Sequence, residues 1–344
     1  MDRRNFIIGS ASAVTALYVG GARATEPWED LLAKLYPAAK QHGEFVFNSE
    51  RIEEVGGKDG IAQFSKRYPG VKVTFAGMAG SQLPSRIASE AKAGKVSIDI
   101  FRSDPNRAQP LFERGLLMKV DPKEISVAPV ETYFADHFIK LSDHISNFTF
   151  NSDLVKPADL PKSYEDLLAP KWKGKLVLDA RGGQIAHLLS ENIWGEKKFW
   201  DFVDGLKMQA PIWTTRNTEA MNKIVSGEGL VGTGSYDAVE QLKVTGAPIE
   251  FLFLSPSLSQ IRGAAIVQGA AHPNAAKLFL GWLLSPEGSK VRDKNAVGTI
   301  SPGTDLYEKI TARGAKIVFE KNIDQIMARD AIGEQITKRW GVLK

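Results

Sequence analysis

Six polar segments, each following an apolar run, carry residue types suited to holding a small solute. Asn48-Ser49-Glu50-Arg51 follows Phe45 to Phe47, Gly77 to Gln82 follows Val71 to Phe75 and brings Gly80 and Ser81, and Arg102-Ser103-Asp104 follows Ile98 to Phe101. Farther along, Asp179-Ala-Arg181-Gly182-Gly183-Gln184 follows Leu176 to Leu178, Arg216 follows Trp213 to Thr215, and Ser235-Tyr236-Asp237 follows Leu230 to Gly234. Glycines just ahead of a helix leave backbone N–H groups that can hold an anion or a carbonyl oxygen. An arginine beside them adds a planar fork that matches carboxylate, phosphonate or phosphate. Each segment also has a plainer reading. Ser81 suits a helix N-cap and Asp104-Pro105 a turn, Arg181 can pair with Asp179 and Arg216 with Glu219, and Tyr236 can pack in a core. Their shared position at strand ends favours binding chemistry.

Catalytic signatures are absent. The sequence has no His-Glu-x-x-His, no Gly-x-Ser-x-Gly and no phosphate-binding Walker loop, and its five histidines (42, 137, 144, 187 and 272) do not recur at metal spacing. Gly232-Thr-Gly234 lacks the third glycine of a dinucleotide loop. With no cysteine, disulfides, thiolate metal sites and cysteine nucleophiles are excluded. Glu50 with Asp104, or Ser235 with Tyr236, are the pairs that could serve an exported hydrolase or lyase, and neither has a base oriented by a third group.

The elements that position these segments alternate. Amphipathic spacing predicts a helix over Trp28 to Gln41, interrupted by Pro37 and closed by Gly43. Strands are expected at 44–48, 71–75 and 98–101, with helices at 61–68, 83–93 and 107–114 between or after them. The stretch Pro122 to His144 shows no clean period and leads into a strand over Ile145 to Phe150, where the chain is expected to cross between lobes. A second set follows: strands at 175–178, 230–233 and 249–254, helices at 185–192, 196–206 and 218–226, a further strand at 263–267, a helix at 274–284 and a helical tail over 309–340. Strands separated by helices of about ten residues indicate parallel βαβ units, whose sheets place ligands at the carboxyl ends of their strands.

With 344 residues, 43% of them hydrophobic and 24% charged, the chain has the composition of an ordinary globular protein of about two domains. A formal charge of +4 is too small for a nucleic-acid footprint, so no nucleic-acid partner is expected. Residues 1–24 read as a cleaved export signal: Arg3-Arg4, a weakly apolar run from Phe6 to Val19, and Ala22-Arg23-Ala24 as a small-x-small cleavage site. The Arg-Arg pair and the run diluted by Gly9, Ser10, Ser12 and Thr15 resemble a twin-arginine signal, giving a periplasmic protein that starts near Thr25. No cysteine follows for lipid attachment, and no later segment is apolar enough to span a membrane.

Lys66-Arg-Tyr-Pro-Gly-Val-Lys-Val73, Gly80-Ser81, Arg86 to Ala91, Ile98 to Phe101 and Gly115-Leu-Leu117 resemble the first lobe of type II periplasmic solute-binding proteins. The resemblance continues through Phe150 to Leu154, Ser163 to Gly174 and Ile266 to Gly288, where it is closest to the ferric-ion-binding branch of extracellular solute-binding family 1. It implies two doubly wound α/β lobes joined by crossing strands. Residues 25–145 with 255–305 would form the N-terminal lobe, and 146–254 with 306–344 the C-terminal lobe. It also implies a receptor that captures solute in the interlobe cleft and hands it to an ABC permease in the inner membrane, with no catalysis. No cofactor is expected, and a protein that closes around solute and docks on a permease is expected to be a monomer. Ferric members carry two adjacent tyrosines where this chain has Ser235-Tyr236, and often a histidine where it has Ser49. The strand-end arginines therefore favour a small anionic solute, a phosphonate, organic phosphate or carboxylate. A ferric receptor using Tyr236 with a synergistic anion on Arg181 is the alternative.

Overall fold

The computed structural model describes residues 25–78, 82–294, 297–300 and 304–342. The expected export signal and the segment holding Gly80 and Ser81 lie outside the described residues. In chain order the first half comprises α1 (Pro27–His42), β1 (Glu44–Asn48), α2 (Gly57–Arg67), β2 (Lys72–Ala76), α3 (Leu83–Lys92), β3 (Ile100–Ser103), α4 (Pro105–Glu113), α5 (Pro122–Ile125), β4 (Thr132–Tyr133) and β5 (Phe138–Asn151). Next come β6 (Leu176–Asp179), α6 (Gly183–Ser190), α7 (Glu196–Met208), β7 (Ile212–Thr214), α8 (Asn217–Val225), β8 (Val231–Ser235), α9 (Tyr236–Val244) and β9 (Ile249–Leu252). The chain ends with β10 (Ser257–Ile266), α10 (Pro273–Leu284), α11 (Pro286–Asp293), α12 (Asp305–Thr311), β11 (Ile317–Phe319) and α13 (Ile323–Trp340).

The strands join into one curled mixed sheet in the order β2-β1-β3-β10-β5-β8-β6-β7, with β11 on β10 and β4 and β9 on β5. At one end β1 pairs in parallel with β2 and β3, and at the other β6 pairs in parallel with β7 and β8. Between these parallel groups, β5 and β10 run antiparallel to each other and belong to both lobes. Ser146 marks the changeover along β5, opposite Leu258 of β10 on one side and Ser235 of β8 on the other. This is the expected architecture, two α/β lobes joined by crossing strands.

Alternation along β1 explains the first lobe. Phe45 and Phe47 point to one face and are fully buried with Phe64, Phe279 and Trp282, and Phe64 meets Phe279 edge-on with ring centres 5.0 Å apart. The second lobe buries Tyr164, Trp172, Phe199, Phe202 and Trp340 beneath β6 and β8. The last helix, α13, contributes Ile336 and Trp340 to that core.

Several expectations are corrected. Pro37 does not interrupt α1: the lost N–H bond is offset because Leu32 and Ala39, on either side of it, are buried against α10. There Gly281 admits Leu32 so closely that a Cβ would sit 2.5 Å from its Cδ2. The aperiodic stretch before His144 already contains the start of β5, which is buried on both faces for much of its length and so shows little alternation. Likewise β10 is one ten-residue strand, not a bend followed by Gly263 to Val267. The tail is broken into α12, β11 and α13, with β11 extending the sheet beside Ser257, Leu258 and Ser259.

Candidate functional site

Parallel β1 and β3 finish side by side, with Asn48 opposite Phe101, so Asn48, Ser49, Arg51 and Ser103 share one end of the first-lobe sheet. Asn48 is buried, and its Oδ1 accepts from Met78 N at 3.1 Å. Ser49 donates its hydroxyl to Glu54, and Ser103 donates to the Asp104 carbonyl at 3.0 Å. Glu54 also takes Nη1 of Arg102 at 2.7 Å, while Nη2 of Arg102 donates to Ser142 Oγ on β5 at 3.1 Å. These bonds tie the loop after β1 to β3 and to a crossing strand.

In the second lobe β6 and β8 also end together. Gly182 precedes α6 with φ +67°, a left-handed conformation that glycine takes at little cost, and a Cβ there would lie 2.5 Å from Ile336 Cγ2 of α13. Gly183 has open space around its Cα. Arg181 turns back on Asp179, with Nε 3.0 Å from both carboxylate oxygens, although 53% of its side chain stays exposed. The hydrogen bond that it donates to Asp179 raises the guanidinium pKa, with burial opposing. Arg216 stands exposed ahead of α8, and Glu219 accepts from Thr215 N at 3.1 Å instead of pairing with it.

Ser235 closes β8 and Tyr236 begins α9. The Tyr236 ring is buried against Phe251 and Phe253, with ring centres 5.6 and 5.7 Å away, and Lys309 Nζ lies 5.5 Å from its centre. Burial raises the phenol pKa and disfavours the phenolate a hard cation would want, with Lys309 acting the other way. Next to it, Asp237 sits in the first turn of α9, where a carboxylate suits the helix dipole. Its side chain is 7% exposed and accepts a hydrogen bond from Arg51 Nη2 of the first lobe. Burial opposes the charge on Asp237, but His144 and Arg51 outweigh it and hold the carboxyl well below the usual range. Arg51 also lies 3.4 Å from Gln241 Oε1 and 4.0 Å from Glu54.

The crossing strands supply residues that the sequence reading missed. His144 of β5 places Nδ1 3.4 Å from Asp237 Oδ1 and Nε2 3.0 Å from Ser146 Oγ. Burial, then Arg262, lowers its pKa, with Asp237 acting the other way. Arg262 of β10 donates Nη1 to Asp104 Oδ1 at 2.8 Å, and Arg107 of α4 lies 3.6 Å from the other Asp104 oxygen and 2.8 Å from Glu50. Burial works against the Asp104 charge, but Arg262 and Arg107 prevail and lower its pKa. A signal for these residues existed. Ser142, His144 and Ser146 on β5, and Gln260 and Arg262 on β10, are polar at every second position, and Arg262 pairs with Ser142 and Gln260 with His144.

The structure thus brings Arg51 to the residues following Ser235, and sets Arg181 near enough to Arg107 and Glu50 for both to perturb it. A cavity of about 10 Å³, room for about one water, lies at the junction, lined in part by Arg102, Asp143, His144, Tyr236 and Asp237. A broader depression of about 480 Å³ opens elsewhere, between Leu168 and Phe202, away from these strand ends. Among the described residues no cluster of three His, Cys, Asp or Glu could hold a metal ion, and no helix is long and apolar enough to cross a membrane.

Residues 50–290 match the sequence profile described as bacterial extracellular solute-binding protein. An uncharacterised protein of Haemophilus influenzae is 28% identical over 169 residues, covering 48% of this chain and 47% of that protein, so the match spans about half of that relative. The Fe(3+)-binding periplasmic protein of Serratia marcescens is 24% identical over 303 residues, covering 83% and 85% of the two chains. The crystal structure of iron-bound HitA from Pseudomonas aeruginosa shares the fold with a TM-score of 0.67 at 20% identity, covering 87% of this chain and 99% of that one.

Proposed function

Because this chain belongs to the bacterial extracellular solute-binding proteins, we propose that it is the periplasmic receptor of an ABC importer that closes its two lobes on a small anionic solute. That family is one of binding proteins, and the chain needs no catalytic group in this role. The observation that carries the reading is the convergence of arginines from both lobes and from a crossing strand, Arg51, Arg107, Arg181 and Arg262, at the carboxyl ends of the two parallel strand groups. Asn48, Ser49, Gly80, Ser81 and Ser103 would contribute from 25–145 with 255–305. Arg181, Gly182, Gly183, Arg216, Ser235 and Tyr236 would contribute from 146–254 with 306–344. A phosphonate, organic phosphate or carboxylate would displace internal carboxylates from these guanidinium groups, and contacts made only in the closed form would draw the lobes together. An export signal at residues 1–24 and a monomeric state complete the proposal.

Thermal unfolding of the purified protein with phosphonates, sugar phosphates, di- and tricarboxylates and ferric citrate tests it. A ligand at a thousand times its dissociation constant adds about 4 kcal/mol of stability. A large shift with one anion class supports the reading, and no shift with any anion rejects it. A second reading, a ferric receptor, is favoured by the name of the Serratia marcescens relative. It requires Tyr236 as a ligand, and a visible charge-transfer band on adding ferric citrate is its signature; a colourless protein rejects it.

A further inference from the structure

The amino ends of the first-lobe strands, at the other end of the sheet from the proposed cleft, carry a polar cluster of their own. His42 ends α1 two residues before β1, Asp99 immediately precedes β3, and His272 is the N-cap of α10, shortly after β10 finishes with Ile266 opposite Ile100. The five histidines are scattered along the sequence. The fold nevertheless brings the first and the last of them together, with ring centres 5.7 Å apart and planes inclined at 66°.

Asp99, 3% exposed, fixes one of the two rings. Its Oδ1 accepts from His272 N at 2.8 Å, and its Oδ2 accepts from Val46 N at 2.7 Å and lies 3.0 Å from His272 Nδ1. A carboxylate accepts and does not donate, so Nδ1 carries the hydrogen and Nε2 keeps its lone pair in the neutral ring. A carboxylate placed in this way orients an imidazole for a metal ion. On the other ring, Nδ1 of His42 is shut off from solvent and has no hydrogen-bond partner among the described residues. A buried polar atom left unpaired is unfavourable, and an ion is one of the partners that removes the cost.

Two imidazoles bound to one ion at about 2.0–2.1 Å, with a near-tetrahedral angle between them, have ring centres about 5–6 Å apart. The pair meets that spacing. The charge around it also suits a cation, because Asp99 offsets the positive start of α10 and His42 lies at the negative end of α1. His272 is 27% exposed in its side chain, which leaves the pair open to water. Since no group of three His, Cys, Asp or Glu among the described residues could hold a metal ion, two nitrogens are what the protein offers, and water fills the other positions.

We infer that His42 and His272 form an open two-imidazole site, oriented by Asp99, for one divalent ion that prefers nitrogen ligands: Zn²⁺, Cu²⁺ or Ni²⁺. The site is independent of the solute cleft. A bound ion staples the end of α1 to the start of α10, the two helices that already meet where Leu32 packs on Gly281.

Calorimetric titration of the purified chain, carrying no histidine tag, with zinc chloride tests the inference. One ion per chain is expected to bind with micromolar affinity, and the thermal unfolding midpoint is expected to rise with zinc concentration. His42→Gln, and His272→Asn, which keeps a donor for Asp99, are each expected to weaken zinc binding tenfold or more and to abolish the rise. With copper chloride in place of zinc, electron paramagnetic resonance is expected to show nitrogen couplings from two imidazoles in the parent protein and to lose that pattern in either variant. If His272→Asn does not fold by circular dichroism, His42→Gln, at the last residue of α1, decides alone. No binding of either ion, or binding that survives substitution of these histidines, overturns the site.

Discussion

Arg51 and Asp237 lie 186 positions apart in the chain, and the guanidinium of the first donates to the carboxylate of the second across the cleft. Each of the two lobes thereby supplies half of one ion pair. In the proposed receptor, a solute seated between the lobes competes with that pair.

The pair is expected to behave as a coupled unit. Arg51→Gln leaves a buried carboxylate behind and should destabilise the protein by about 1–3 kcal/mol, whereas adding Asp237→Asn should restore part of the loss. A double-mutant cycle from urea unfolding measures the coupling. Strictly additive effects would show that the two side chains do not interact in solution.

Arg181, with 53% of its side chain exposed, is more open to solvent than Arg51, Arg107 or Arg262, and its substitution should act on binding more than on folding. Arg181→Ala is expected to weaken binding of the solute found in the thermal screen by ten- to a hundredfold, about 1.4–2.7 kcal/mol, with a small change in the unfolding midpoint. Unchanged affinity in calorimetry would remove Arg181 from the site.

Gly182 and Gly183 look interchangeable in sequence and should respond oppositely to the same change. Gly182→Ala combines a left-handed φ with a Cβ 2.5 Å from Ile336 and should cost about 1–3 kcal/mol of stability. Gly183→Ala meets nothing within 4 Å and should leave the unfolding midpoint almost unchanged. Thermal unfolding of the two variants side by side decides it.

His187 gives the protein an acid-sensitive core. It is buried in the second lobe, with Nε2 3.1 Å from the Pro256 carbonyl and 3.5 Å from the Tyr164 hydroxyl, and burial lowers its pKa to about 4, with the Arg329 charge adding to the shift. The folded state thus refuses a proton that the unfolded chain accepts near pH 6.5. Stability from this group is fully present above about pH 6.5 and is lost as the pH falls toward 4, on the order of 3 kcal/mol in all. His187→Gln, which keeps a donor for Pro256, should flatten the unfolding midpoint across that window; an unchanged pH profile would refute the assignment.

The parts of this molecule that are local in sequence were readable from it. The strand and helix order of both lobes follows from short apolar runs, such as β1 and β6, and from helical periodicity, each stopping at glycine, proline or polar clusters. The long crossing strands were harder. The start of β5 hid in an aperiodic stretch, and β10 looked like two pieces because Ser257, Ser259, Gln260 and Arg262 suggest a surface while all but Arg262 are buried. At the site, Arg181 was noted beside Asp179 because two positions separate them. Arg262 and Asp104, or Arg51 and Asp237, meet only after the whole sheet has formed, and nothing in their neighbourhoods marks them as partners. His144 likewise meets its carboxylate neighbour, Asp237, from a distant part of the chain.

The two long strands that bridge the lobes carry a further implication. β5 and β10 bear His144, Gln260 and Arg262 on the face that meets the cleft, and their pairing slips register between Arg262 and Gly263. At Gly263 a Cβ would come within 2.3 Å of the Phe138 ring, so the backbones are pressed together just beside that slip. If the lobes close on a solute as proposed, these strands are the segments that bend, and the side chains that would face the solute ride on them.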